Sequence, residues 1–392
     1  MNGMTQGKKS IVMALSDLRG GGAERVVVHL LNHWPRDHSR PVLLLAEKRG
    51  PYLTDLRADV EVLSCEIPFT AANTPRVLFR LRALLNKVQP IAIFAHSIGT
   101  TRMLARARAV GFLTAPLVPV LHNNVGRSLA HQGRGSVFGG GLRRELGWVY
   151  SRTTGLIAVS KGIAREAAAV FGIPEGRFEA VYNPIDLAQI DAAQEHFPGE
   201  EFTRTFERLR KPIIITVGRL STQKNHSLLL DAYCQLPPTR RGSLVILGEG
   251  PLGDVLESKA RELGIGNEVF LPGFVQNPWW YMKRSDLYVL SSSWEGYPMV
   301  LIEAMACGLP IVATDCEHGP SEIIYSDALG TLVPVNDAPA LAKAIAQRLQ
   351  ANTKGPPLEG RTFVEQYEPA SVAKRYADVL ATIRPGFAKN NV

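Results

Sequence analysis

Residues 292–308 read Ser-Ser-Trp-Glu-Gly-Tyr-Pro-Met-Val-Leu-Ile-Glu-Ala-Met-Ala-Cys-Gly. Two carboxylates, Glu295 and Glu303, stand in this stretch with seven residues between them. Just upstream, Asp286-Leu-Tyr-Val-Leu290 is an apolar run of strand length. Pro298 suits a first helical position and Gly308 the site just past a helix end. The pattern predicts a strand, a loop holding Glu295 and a helix carrying Glu303. In an open parallel sheet such a loop lies at the carboxyl edge of the strands, where ligands bind. A turn residue and a solvated helix residue would explain either acid alone. They explain less well a pair beside an apolar helix face at a strand's carboxyl end.

The same kind of strand and loop recurs along the second half. Pro212-Ile-Ile-Ile-Thr-Val217 is a β-branched run that reads as a buried strand. It leads into Gly218-Arg-Leu-Ser-Thr-Gln-Lys-Asn-His226, which puts Arg219 and Lys224 in a strand-to-helix loop. Two fixed cations there suit a diphosphate; as surface residues they would need no explanation. After the strand Ser243–Leu247, Gly248-Glu-Gly-Pro-Leu-Gly253 satisfies the G-x-G-x-x-G pattern of dinucleotide enzymes. An oxidoreductase is therefore the natural rival. Against it, the motif belongs to the second strand unit of its domain, whereas the fingerprint usually opens a domain. Further on, Gly319 and Ser321 precede a predicted helix and offer backbone N–H groups to an anion or a sugar.

In the first half, Ser10–Leu15 reads as a strand and 23–34 as a helix, joined through Gly20-Gly-Gly22. Glycines in that place let the backbone approach an anion at the helix N-terminus; a flexible turn is the alternative. Strands near 41–45, 60–63, 91–95, 117–121, 155–159 and 178–181 alternate with helices near 75–87, 100–109 and 161–171. That rhythm predicts a parallel sheet covered on both faces. His96 and His122 fall at strand ends, and Asn123 follows His122. The Gly- and Ser-rich 125–141 reads as a mobile loop. A helix then begins at 142–150, where Trp148 suits either a membrane interface or the core. Residues 187–211 are polar without strong periodicity, so the predicted division is 1–182, a linker at 183–211, and 212–367.

Taken together, the acidic segment, the Arg219/Lys224 loop and the glycine-rich turns resemble the retaining, nucleotide-sugar-dependent glycosyltransferases of family 4 (glycosyl transferases group 1, GT-B fold). These include bacterial polysaccharide and lipid-linked oligosaccharide enzymes. The resemblance implies an α/β fold of two facing Rossmann-like domains around a deep cleft, with a last helix, 368–392, returning to the N-terminal domain. It implies that Glu295 holds donor-sugar hydroxyls and Glu303 the nucleotide ribose. Arg219 and Lys224 would neutralise the diphosphate. Gly21, Gly22, Gly218, Gly250, Gly296, Tyr297, Gly319 and Ser321 would contact the donor. Phe274 and Val275 would lie beside the base. His122 would stand near the sugar and the acceptor, with His96 and Asn123 on the acceptor side.

Composition limits the rest. The 392 residues allow two domains, and 45% apolar against 20% charged residues is an ordinary globular balance. Cys65, Cys234, Cys307 and Cys316 have no metal-ligand spacing, and no Asp-x-Asp cluster occurs, so neither a cofactor nor a metal is expected. No stretch approaches the roughly 18–20 apolar residues of a membrane span. The net charge of +8 is concentrated: residues 1–200 hold 24 Lys and Arg against 16 Asp and Glu, while the remainder balances. Residues 67–144 contain no acid at all. Charge of one sign over that length implies an anionic partner such as a lipid surface, or else an inert solvated face. No nucleic-acid motif accompanies it. The expected protein is a cytoplasmic, peripheral transferase. It would move a hexose or N-acetylhexosamine from a UDP-sugar to a lipid-linked or polysaccharide-precursor acceptor; a soluble acceptor is the alternative.

Overall fold

The computed structural model describes residues 9–383 apart from 20, 38, 125, 127–135 and 352–357. It divides into two compact units, Met1–Pro184 with Tyr367–Val392, and Ile185–Gln366.

The first unit is built on seven strands: β1 (Ser10–Leu15), β2 (Arg40–Leu45), β3 (Glu61–Ser64), β4 (Pro90–Ala95), β5 (Leu117–Leu121), β6 (Leu156–Ala158) and β7 (Phe178–Ala180). They pair in parallel in the order β3-β2-β1-β4-β5-β6-β7. β1 shows why its sequence is continuously apolar. Ile11, Met13 and Leu15 pack with Val27, Leu30 and Leu31 of the helix Gly22–His33. Val12 and Ala14 face the opposite way, onto Val77, Leu81 and Leu85 of the helix Thr74–Val88. Alternate residues thus enter two separate cores, as a strand covered on both faces requires. The helix Pro369–Ile383 belongs to this unit and sends Val372, Tyr376 and Leu380 into the first of those cores.

The second unit repeats the plan with β8 (Ile213–Val217), β9 (Ser243–Leu247), β10 (Val269–Gly273), β11 (Leu287–Leu290), β12 (Ile311–Thr314) and β13 (Thr331–Val333). Their order is β10-β9-β8-β11-β12-β13, again parallel. In both sheets the first strand is central. The chain winds outward on one side of it, then crosses to the other.

Two expectations change. Residues 183–211 are not a free linker: Leu187–Glu195 and Glu200–Glu207 are helices of the second unit. Asp186 caps the first through Gln189 N at 2.9 Å, and Phe206 is buried against the rings of Trp280 and Tyr281, 5.9 and 5.1 Å away. Few apolar positions are needed because the partner aromatics are remote in sequence. Second, the helix expected from 142 begins at Ser136, so 136–141 is helical despite its glycines; 127–135 of that expected loop lie outside the described residues. Of the two places open to Trp148, the core is excluded: the residue is 51% exposed, with the Arg152 guanidinium 4.5 Å above its ring. No helix among the described residues is long and apolar enough to cross a membrane.

The G-x-G-x-x-G segment has a packing explanation. Gly248 has φ +136°, and a Cβ on it would stand 2.2 Å from the Gly218 carbonyl oxygen. A Cβ on Gly250 would stand 2.3 Å from that of Leu220. These glycines let the turn after β9 lie against the loop after β8, where Leu220 N donates to Glu249 O at 2.9 Å. Gly248→Ala combines a strained φ with a backbone clash. It should cost about 2–3 kcal/mol of stability, read as a lowered Tm with the fold otherwise kept.

Candidate functional site

In the second unit the chain reverses its winding at β8 and β11, so the loops leaving these neighbouring strands diverge. Such a switch point opens a crevice at the carboxyl edge of the sheet. Lys224 comes from the loop after β8 and Glu295 from the loop after β11. Their side chains meet, Lys224 Nζ to Glu295 Oε1 at 2.7 Å, with 17% and 6% of each exposed.

Several contacts hold this pair. Ser292 Oγ donates to the same Glu295 oxygen at 2.6 Å. Gln223 Nε2 approaches Glu295 Oε2 at 3.5 Å and donates to Trp294 O at 3.1 Å. Ser293 N donates to Gln223 O at 2.8 Å, and the Ser291 hydroxyl to Lys224 O at 2.9 Å, so one main-chain and one side-chain bond stitch the two loops together. At Gly218 an added Cβ would lie 3.2 Å from Lys224 Cε, so the glycine leaves room for the lysine stem at the strand end. Arg219 is exposed and has no ion-pair partner among the described residues.

Glu303 lies on the helix Met299–Ala306, as the spacing predicts, and is buried. Pro298 caps that helix instead of opening it, and Gly308 follows it with φ +83°. Burial pushes the Tyr288 phenol on β11 up; its hydrogen bond to Val217 O at 3.4 Å pulls the other way, and the charges of Glu303 and Glu295 add to the rise. Burial, and after it Glu295, lifts the Cys316 thiol to about 12.

The loop after β12 closes the corner. Glu295 N donates to Glu317 O at 3.1 Å. Gly319 has φ +93°, and a Cβ there would stand 2.5 Å from Pro298 Cδ and 3.1 Å from Gly296 O. Only glycine fits that approach, so Gly296, Tyr297, Pro298 and Gly319 form one packed turn; Ser321 is exposed beside it. Gly250 is exposed beyond β9, and Phe274, beyond β10, is 71% exposed with Val275 half-buried next to it. His226 is buried and burial pushes it down to about 4, which suits a structural residue.

The first unit has its own switch point at β1 and β4. Gly21 and Gly22 are exposed at the start of the helix Gly22–His33. A Cβ on Gly21 would meet Glu24 Oε2 at 2.4 Å, so the Glu24 carboxylate folds back over the helix start. Burial raises its pKa. Sequence reading passed over Glu24. The available signal was an acid in the first turn of a helix with no side-chain N-cap. His96 and His122 follow the neighbouring strands β4 and β5 and touch, Nδ1 to Nε2 at 2.9 Å. His96 is 3% exposed, which leaves half-buried His122 and exposed Asn123 as the groups a ligand meets directly.

Among the described residues no three His, Cys, Asp or Glu side chains are placed to share a metal ion. Lys224→Met leaves Glu295 buried without its cation and should cost about 3 kcal/mol. Adding Glu295→Gln should recover about 2 kcal/mol of that, read as non-additivity of denaturation free energies in a double-mutant cycle.

Comparison with known proteins bears on the fold and the family. The model for glycosyl transferases group 1 matches residues 199–356, and that for Glycosyltransferase Family 4 matches residues 20–189. The N-acetylgalactosamine-N,N'-diacetylbacillosaminyl-diphospho-undecaprenol 4-alpha-N-acetylgalactosaminyltransferase of Campylobacter jejuni is 29% identical over 85% of this chain and 88% of that protein. The lipopolysaccharide 1,6-galactosyltransferase of Escherichia coli is 32% identical over 46% of this chain and 48% of its own. The crystal structure of Anabaena Alr3699/HepE in complex with UDP-glucose superposes with a TM-score of 0.76 at 20% identity, covering 95% of this chain and 99% of that one. With one family matched across each unit and the two parallel sheets of the GT-B fold, this chain belongs to the family 4, group 1 glycosyltransferases.

Proposed function

We propose that the protein transfers a hexose or N-acetylhexosamine, with retention at the anomeric carbon, from a UDP-sugar to a lipid-linked or polysaccharide-precursor acceptor at the cytoplasmic membrane face. The observation that carries this reading is the buried Lys224–Glu295 pair across the β8/β11 switch point, with the uncommitted Arg219 on the same loop.

The chemistry follows from charge. The acceptor oxygen bonds to the anomeric carbon as the bond to the diphosphate breaks. The departing UDP takes the electron pair, and the acceptor's proton passes to a diphosphate oxygen. Lys224 and Arg219 meet the growing negative charge, each worth about 3 kcal/mol in the transition state; with these cations in place no metal is needed. Glu295 holds sugar hydroxyls, Glu303 the ribose, and the exposed Phe274 with Val275 flanks the base. Gly319 and Ser321 bring backbone close to the donor. On the first unit, the backbone at Gly21 and Gly22 and the side chains of His122 and Asn123 are the groups offered to acceptor hydroxyls.

The membrane part rests on the surface of the first unit and on the Campylobacter relative, whose name specifies a diphospho-undecaprenol substrate. The helix Thr74–Val88 exposes Arg76, Arg80 and Arg82 around Phe79, which is 67% exposed. Phe112 stands 6.0 Å from Phe79, with the Arg82 guanidinium 4.9 Å over its ring. Apolar rings among guanidinium groups suit a lipid headgroup layer. The positive charge is smaller than the sequence suggests: Arg102 and Arg106 both bind Glu145, and Lys87 binds Glu61.

Incubation of the protein with UDP-sugars and a polyprenyl-diphosphate-linked saccharide should release UDP and give a product of unchanged anomeric configuration by NMR. Lys224→Ala should lower kcat about 100-fold or more; near wild-type turnover in that variant contradicts the assignment. Sedimentation with anionic vesicles should weaken by about 1 kcal/mol for each of Arg76, Arg80 and Arg82 changed to Gln, and weaken further in high salt. Failure to sediment with vesicles at any salt concentration points to a soluble acceptor.

A further inference from the structure

The pair of histidines in the first unit carries more information than a shared location. β4 and β5 pair with Ala95 opposite Pro119, so residues just past their ends are neighbours. The two rings lie 5.2 Å apart at 31°. On its other contact His96 stacks on Tyr376, centroids 6.3 Å apart at 14°. His96 is covered, and its Nε2 has no hydrogen-bond partner; nor does the Tyr376 hydroxyl.

At 2.9 Å one hydrogen lies between His96 Nδ1 and His122 Nε2. Two arrangements satisfy that contact in uncharged rings. If His122 donates, His96 carries its hydrogen on Nε2, and a buried N–H is left with no acceptor. If His96 donates, Nε2 keeps only an idle lone pair. Orphaned buried N–H groups are the rarer and costlier defect, so the second arrangement prevails. His122 then accepts at Nε2 and carries its own hydrogen on Nδ1.

We propose that His96 is a positioning residue that locks His122 in the Nδ1–H form, making His122 a fixed hydrogen-bond donor to a sugar or acceptor hydroxyl oxygen. This rests on the transferase reading above, but the tautomer can be read without turnover. The electrostatics agree. Burial pushes His122 down to about 4, and burial followed by His122 pushes His96 well below its ordinary value. Among the described residues the titratable groups against the pair are each other and the Tyr376 phenol, which burial pushes up, so all three are uncharged near neutrality. The sign follows. An unfolded histidine binds its proton near pH 6.5, so between there and about 4 the unfolded chain holds more protons. Stability is complete above pH 6.5 and is lost as pH falls through that window.

The test is a long-range proton–nitrogen NMR correlation on the full chain labelled with 15N-histidine. The expected spectrum shows His122 with a protonated Nδ1 and a bare Nε2, and no titration from about pH 5.5 to 8. His96→Phe keeps a ring against Tyr376 and removes the donor. There His122 should populate both tautomers, and kcat should fall about tenfold with the donor KM changed less than about twofold. His96→Asn supplies an amide N–H and should restore most of both. A protonated Nε2 on wild-type His122, or a His96→Phe variant with unchanged tautomer or unchanged kcat, overturns the proposal. Should His96→Phe not fold, the wild-type spectrum and His96→Asn decide it. A locked tautomer in a protein that transfers no sugar would refute the transferase reading alone. Mixed tautomers in an active protein would refute the positioning role alone.

Discussion

The ion pair between Lys224 and Glu295 is the constraint on which the second unit is arranged. Both charges are almost out of water, and a desolvated pair contributes little net stability compared with apolar side chains of the same size. What it does is fix geometry. The loops after β8 and β11 leave neighbouring strands for opposite sides of the sheet, and nothing in the sheet itself sets the gap between their tips. The salt bridge, the hydrogen bonds from Ser292 and Gln223, and the bonds that Ser293 N and the Ser291 hydroxyl give to the carbonyls of 223 and 224 set it together. A cation and a carboxylate held that firmly are ready for a ligand whose two ends are anionic and hydroxylated.

The glycines serve the same arrangement. Gly218 makes room for the lysine stem, Gly248 and Gly250 admit the β9 turn against the β8 loop, and Gly319 packs on Pro298. At Gly248, Gly250 and Gly319 a methyl group would strike backbone or ring atoms; at Gly218 it would crowd the Lys224 stem. The segment that looks like a dinucleotide fingerprint is thereby accounted for as loop packing beside the site, on β9, while the central strand β8 carries the cations.

Much of this was legible in the sequence because it is local. A β-branched run, a glycine, and charged residues at fixed offsets specify a strand, its turn and the loop that follows. Thus the strand-loop-helix around Glu295 and Glu303 and the loop bearing Lys224 could be placed from spacing. What could not be read depends on partners far away in the chain. The helices at 187–207 are held by capping at Asp186 and by aromatic rings of 280 and 281, and local composition alone makes that stretch look like a tether. The helix from Ser136 runs through Gly139, Gly140, Gly141 and Gly147, which local composition reads as a loop. The Lys224–Glu295 contact joins loops that follow β8 and β11, strands that are neighbours in space only because of the crossover. The His96–His122 contact likewise needs β4 beside β5. Charge, too, was only partly visible: Glu145 and Glu61 quench arginines and a lysine that the acid-free stretch left uncompensated on paper.

The most direct measurement is calorimetric titration of UDP into the wild-type protein and into Arg219→Ala and Lys224→Ala variants. If these two side chains grip the diphosphate, each substitution weakens UDP binding by about tenfold or more while uridine binding stays unchanged. Equal UDP affinity in all three proteins would contradict the assignment of the β8 loop as the donor's phosphate site.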